Sequence, residues 1–185
     1  MPISAWIVIA IVVIVLLYAI SIYNRLVRHR NMTQEGWSGI DVQLRRRFDL
    51  IPNLLETVKG YAAHEKGVFE EVTKLRSASI NAGNIADQVQ AEKALTGALG
   101  RLFAVAEAYP DLKADANFRS LQEELSEIED HLQMARRYYN GTARELNILV
   151  ESFPSVVVAK SFGFKTEPYY EIGDPAAAAV PKVAV

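Results

Sequence analysis

The sequence predicts an all-α protein: a single N-terminal transmembrane helix followed by an up-and-down four-helix bundle of long, coiled-coil-like helices. Three observations predict it. Residues 3–22 carry no charged side chain. Beyond them, apolar residues recur at spacings of three and four, the period of a helix face. Strand-like alternation is absent except, weakly, at Val156-Val157-Val158. The 185 residues suit one domain of ordinary size. There is no cysteine, which excludes disulfides, thiol nucleophiles and Cys-ligated metals. The net charge of −2 gives no basic balance suited to nucleic acid.

The predicted organisation is a transmembrane anchor over 1–23, a helical bundle over 24–152, an apolar and aromatic segment over 153–172 and a disordered tail over 173–185. Twenty helical residues rise about 30 Å, the thickness of a bilayer's hydrocarbon core. Trp6 stands near one end of the apolar run, Tyr18 and Tyr23 near the other, where interfacial aromatics are expected. A cleaved signal peptide is the rival reading, and Ala19-Ile20-Ser21 resembles a cleavage site. The run is nevertheless longer than such peptides use, and no Lys or Arg precedes it. Arg25, Arg28 and Arg30 follow the run, so charge asymmetry predicts a cytoplasmic body, with an extracytoplasmic one as the alternative.

In the body, Trp37, Ile40, Leu44, Ile51, Leu54, Val58, Tyr61, Val68, Val72 and Leu75 form one stripe, interrupted by Arg47 and Glu65. Residues 24–82 read as one kinked helix or two; Pro52, Gly60 and Gly67 favour a break within 50–67. Asn81-Ala82-Gly83 reads as a stop with Gly83 in a left-handed cap. Asn84 and Asp87 open a helix carrying Ala91, Leu95, Ala98, Leu102, Val105 and Tyr109, which Pro110 ends. The fourth helix has a strict 4-3 seam: Leu121, Leu125, Ile128, Leu132, Ala135, Tyr139, Thr142, Leu146, Leu149 and Phe153. Its start is Ser120 with Glu123, or earlier at Asp115 or Asn117; Pro154 closes it.

Several segments then match a known pattern in order and spacing. They are Tyr23-Asn24-Arg25-Leu26-Val27; Trp37-Ser38-Gly39-Ile40-Asp41 running through Arg45-Arg46-Arg47-Phe48-Asp49-Leu50-Ile51-Pro52-Asn53; Ala106-Glu107-Ala108-Tyr109-Pro110-Asp111-Leu112; Ala135-Arg136-Arg137-Tyr138-Tyr139-Asn140; and Phe153-Pro154-Ser155. Together they resemble the LemA family of bacterial membrane proteins over nearly all of 23–171. The resemblance implies a four-helix bundle behind a membrane span, no known enzymatic activity and an envelope-associated or signalling role. Some members accompany an HtpX-type membrane metalloprotease. Gly36 and Gly141 depart from the family, which favours Ala and an acidic residue there.

The residues agree that no enzyme motif is present. His64-Glu65 lacks the second His of a zinc-protease helix. Ile128 precedes His131 by three, so the di-iron Glu-x-x-His pair fails. No cofactor or metal is expected. The functional expectation is a non-enzymatic, single-pass scaffold of the bacterial inner membrane that self-associates as a homo-oligomer in envelope organisation. A regulatory adaptor of an envelope protease or signalling system is the alternative. The lipid bilayer is the expected partner, and nucleic acid is not. Trp6, Tyr23, Arg25, Arg28, Arg30, Phe162 and Phe164 are the candidate membrane-interface residues. Phe162 and Phe164 end an apolar run bounded by Lys160 and Lys165, which either touches the bilayer or caps the bundle core. Arg47, on the apolar stripe, needs a buried acidic or carbonyl partner; Glu107 and Glu127 are the candidates.

Overall fold

The computed structural model describes residues 2–171; the predicted tail over 173–185 lies outside them. Six helices follow one another: α1 (Ile3–Tyr61), α2 (Lys66–Ile80), α3 (Ile85–Glu107), α4 (Pro110–Ala114), α5 (Ala116–Glu151) and α6 (Ser155–Ser161). The all-α class holds, with no strand among the described residues. Val156, Val157 and Val158, the weak strand signal, are helical in α6. The described residues divide into two compact units, one of residues 2–40 with 133–169, the other of 41–132 with 170 and 171.

In the second unit the break falls at 62–65, inside the expected window, but Pro52 does not make it. Pro52 lies within α1. A helical proline leaves the carbonyl four residues earlier without its N–H, here that of Phe48. Arg76 of α2 supplies the missing donor, its Nε giving a hydrogen bond to the Phe48 carbonyl at 2.7 Å. The turn at 62–65 is followed by buried Phe69 and Val72 on α2, which packs along α3.

The stop at 81–83 is real, but Gly83 is not left-handed: among the described residues only Gly163 has a positive φ, 71°. Asn81 itself ends α2, its backbone N–H reaching back to Ser77, so no left-handed residue is required. Asn84 caps α3 as expected, its Oδ1 accepting from the Asp87 N–H at 2.9 Å. Pro110 does not end α3, which stops at Glu107; it opens α4, where its missing N–H costs nothing. Asp115 starts α5 by accepting from the Phe118 N–H at 2.9 Å, which sets aside Ser120 as the cap. Tyr61, placed on the apolar stripe, is exposed and donates its hydroxyl proton to Asp115 Oδ2 at 3.0 Å.

In the first unit α1 and α5 run antiparallel. The α1 backbone at Gly36 meets Tyr139, and Gly39 faces Ala135. Nearer the apolar end, Ile22 and Leu26 cluster with Leu146 and with Ala159 of α6. A Cβ at Gly36 would stand 3.0 Å from the Tyr139 Cα, so glycine permits the close approach. The 4-3 seam of α5 buries Tyr139, Thr142 and Leu146 here, but Phe153, its last member, is exposed. The cause is simple: α5 ends at Glu151, and a helical period means nothing past the helix.

After Gly163 the chain leaves the helix and is held against α5 as a strap. Asn147 Nδ2 donates to the Glu167 carbonyl at 2.9 Å, and Asn147 Oδ1 accepts from the Glu167 N–H at 2.8 Å. The Tyr139 hydroxyl donates to the Pro168 carbonyl at 2.8 Å.

Candidate functional site

One helix, α1, is long and apolar enough over its first part to cross a membrane, judged by length and composition, and that stretch is uncovered by the rest of the chain. Trp6 is exposed on it, as is Tyr18. Tyr23, Arg25, Arg28 and Arg30 follow as one or two further turns of the same helix, all exposed. Leu17, Ile20, Ser21, Asn24, Arg25 and Arg28 line one shallow groove, so apolar and cationic side chains adjoin on a single helix face.

The C-terminal aromatics come to this same level of α1. The Phe162 ring centroid lies 4.8 Å from that of Tyr23, and the Phe164 ring meets Tyr23 edge-on at 5.9 Å. The Arg30 guanidinium lies 5.2 Å over the Phe164 ring, within cation–π range. The two Phe differ in environment. Phe164 is half-buried against the Ile22, Leu26, Leu146 and Ala159 cluster, whereas Phe162 is exposed. Phe164 thus packs on that cluster, while Phe162 touches Tyr23 and is otherwise exposed.

The second unit holds a buried polar centre on Arg47. Its Nη1 lies 3.1 Å from Glu92 Oε2 and 3.4 Å from Glu129 Oε2, and its Nη2 donates to Thr96 Oγ1 at 3.0 Å. Glu92 is completely buried, and Gln88 Nε2 donates to its other oxygen at 3.4 Å. The expected burial of Arg47 holds; the expected partners do not. Glu107 is exposed and pairs with Lys113, and Glu127 is exposed. The partner, Glu92, lies on a second register of α3. Gln88, Glu92, Leu95, Leu99, Leu102 and Ala106 also follow a 4-3 rule, and all are buried. Glu92 and Gln88 occupy seam positions as polar residues, as Arg47 does on α1.

Burial pushes the Tyr139 phenol up to about 12, and the Glu167 carboxylate adds to the shift. The Tyr61–Asp115 hydrogen bond raises the Tyr61 phenol. The Phe118 N–H and that bond lower the Asp115 carboxyl. These are structural contacts, with no nucleophile beside a base. Among the described residues no group of three or more His, Asp or Glu is placed to hold a metal ion.

The LemA family model matches residues 36–184. The chain belongs to the LemA family. The matched region of this LemA chain begins beyond the apolar stretch and takes in both the Arg47 centre and the strap. The chain is 28% identical over 198 residues to the magnetosome protein MamQ 2 of Paramagnetospirillum magneticum, covering 92% of the chain and 73% of that relative. It is 27% identical over 174 residues to the magnetosome protein MamQ of Magnetospirillum gryphiswaldense, covering 80% and 64%. To Protein LemA of Metamycoplasma hominis it is 28% identical over 138 residues, covering 74% and 63%. None of these names states a reaction.

Proposed function

We propose that this LemA-family chain is a non-enzymatic scaffold, anchored in the bacterial inner membrane by residues 3–22. Its body is an up-and-down helical bundle that self-associates to organise the envelope. One observation carries the reading: α1 continues without a break from an uncovered apolar stretch, about one bilayer thick at 1.5 Å per residue, into helices with buried seams. A span fused rigidly to a packed body suits a part that holds position. Arg25, Arg28 and Arg30 beyond the span favour a cytoplasmic body.

Crosslinking in native membranes followed by mass spectrometry tests the proposal. Homotypic crosslinks between copies of the chain, in material that alkaline carbonate fails to extract, are the expected result. A stoichiometric crosslinked complex with an envelope protease, without homotypic links, would instead establish the adaptor role. Protease added to intact spheroplasts should spare residues 31–185; their digestion without lysis would place the body outside.

A further inference from the structure

Helix α6 covers one of its sides and leaves the other bare. Ser155 and Ala159 are buried, and Val158 packs on the Ile22, Leu26 and Leu146 cluster. Val157 and the flanking Phe153 and Phe162 are exposed, at 59%, 84% and 64%, although one side of the Phe162 ring meets Tyr23. Three large apolar side chains within ten residues make a patch that water disfavours and that marks an interaction surface.

Its place in the fold says what covers it. The antiparallel pairing of Gly36 with Tyr139 and of Ile22 and Leu26 with Leu146 brings the end of α5 back toward the apolar stretch. There α6 sits on the first turns of α1 from residue 22 on, with the Phe162 ring tilted against that of Tyr23. Arg25 and Arg28 on α1, and Lys160 and Lys165 in and just after α6, are exposed. An apolar patch with exposed cations near it in the chain, beside the exit of a span, matches an anionic bilayer surface in both its layers.

We propose that Phe153, Val157 and Phe162 insert into the headgroup–acyl boundary of the anionic bilayer that α1 crosses, while Lys160 and Lys165 reach its phosphates. The chain then holds the membrane at two points: the span, and α6 resting in the interface. The proposal rests on the anchorage reading above.

The full chain, which has no native cysteine, is reconstituted in vesicles of phosphatidylcholine and phosphatidylglycerol. Nitroxides are placed by Leu16→Cys, Val157→Cys or Glu145→Cys, and their collisions with oxygen and with a nickel chelate are measured. Leu16 reports the span, and Glu145, exposed on α5, sets the aqueous value. The Val157 label should favour oxygen over nickel, between the other two. Adding Phe153→Ser and Phe162→Ser should abolish that preference at unchanged helicity, because both rings are exposed. A lipid-like Leu16 label with an aqueous Val157 label would overturn this proposal and leave the anchor standing. An aqueous Leu16 label would overturn both. A Val157 label shielded from both reagents and broadened by a neighbouring spin would overturn it in favour of a second copy of the chain.

Discussion

Arg76 donates its Nε–H to the carbonyl of Phe48 at 2.7 Å, and that carbonyl is the one Pro52 deprives of its helical partner. α1 therefore runs through Pro52 because a side chain from the next helix replaces the lost bond. Replacing Arg76 with Met should leave the carbonyl unsatisfied in a half-buried site and cost about 1–3 kcal/mol. With Pro52→Ala in place the restored N–H bonds Phe48, and Arg76→Met should then cost measurably less. Urea melts of the four proteins in this cycle supply the coupling. Equal costs in both backgrounds would mean that Arg76 acts elsewhere.

Arg47→Ala strands Glu92 without its cation in a completely buried position. Breaking a buried pair in this way should cost roughly 3–5 kcal/mol. Arg45 is exposed and pairs with Asp41 one turn away, so Arg45→Ala should change stability by less than about 1 kcal/mol. Arg46→Ala, also exposed, should behave likewise. Arg47→Met with Glu92→Leu should recover most of the loss. Thermal unfolding of the set separates a buried centre from a solvated patch of three arginines.

Gly36 and Gly141 should answer substitution with opposite signs. Gly36→Val pushes a branched side chain against the Tyr139 backbone at a 3.0 Å approach, and overpacking of this kind costs about 1–3 kcal/mol. A Cβ at Gly141 meets nothing within 4 Å, and α5 is continuous there. Gly141→Ala should therefore stabilise by about 0.5–1 kcal/mol. Denaturant midpoints for the two variants check both signs.

Alkaline pH should loosen the strap. The Tyr139 phenol is held up at about 12, against about 10 when unfolded. The unfolded chain therefore loses this proton first. Stability is intact below about pH 10 and falls as pH rises toward 12. Among the eight tyrosines, tyrosinate absorbance should show a step near pH 12 that belongs to Tyr139. Tyr139→Phe should remove that late step together with the hydrogen bond to Pro168.

Legibility of this sequence followed the range of the force concerned. The apolar run of 3–22, the break near 62–65 and the Asn84 cap depend on neighbours in sequence, and all could be read. The seam of α5 could be read because aliphatic residues fill it, up to Phe153, where the helix had already ended. Arg47 stood out because it interrupts an apolar stripe. Glu92 did not: a Glu among Gln and Lys looks solvated, and its burial follows only from which helix faces Arg47. Arg76 and Asn147 were invisible for the same reason, each answering a main-chain group distant in sequence.

The strap is gripped through its amides and carbonyls: Asn147 takes both backbone groups of Glu167, and Tyr139 takes the carbonyl of Pro168. Such a grip is indifferent to the spelling of the strap. Side chains at 166 and 169, both exposed, are free to drift between orthologues, whereas Asn147 and Tyr139 on α5 are not. Variation should thus be asymmetric across this contact, with a fixed clasp on the helix and a mutable ribbon beneath it, and the ribbon is where foreign peptide sequence could be written without undoing the fold.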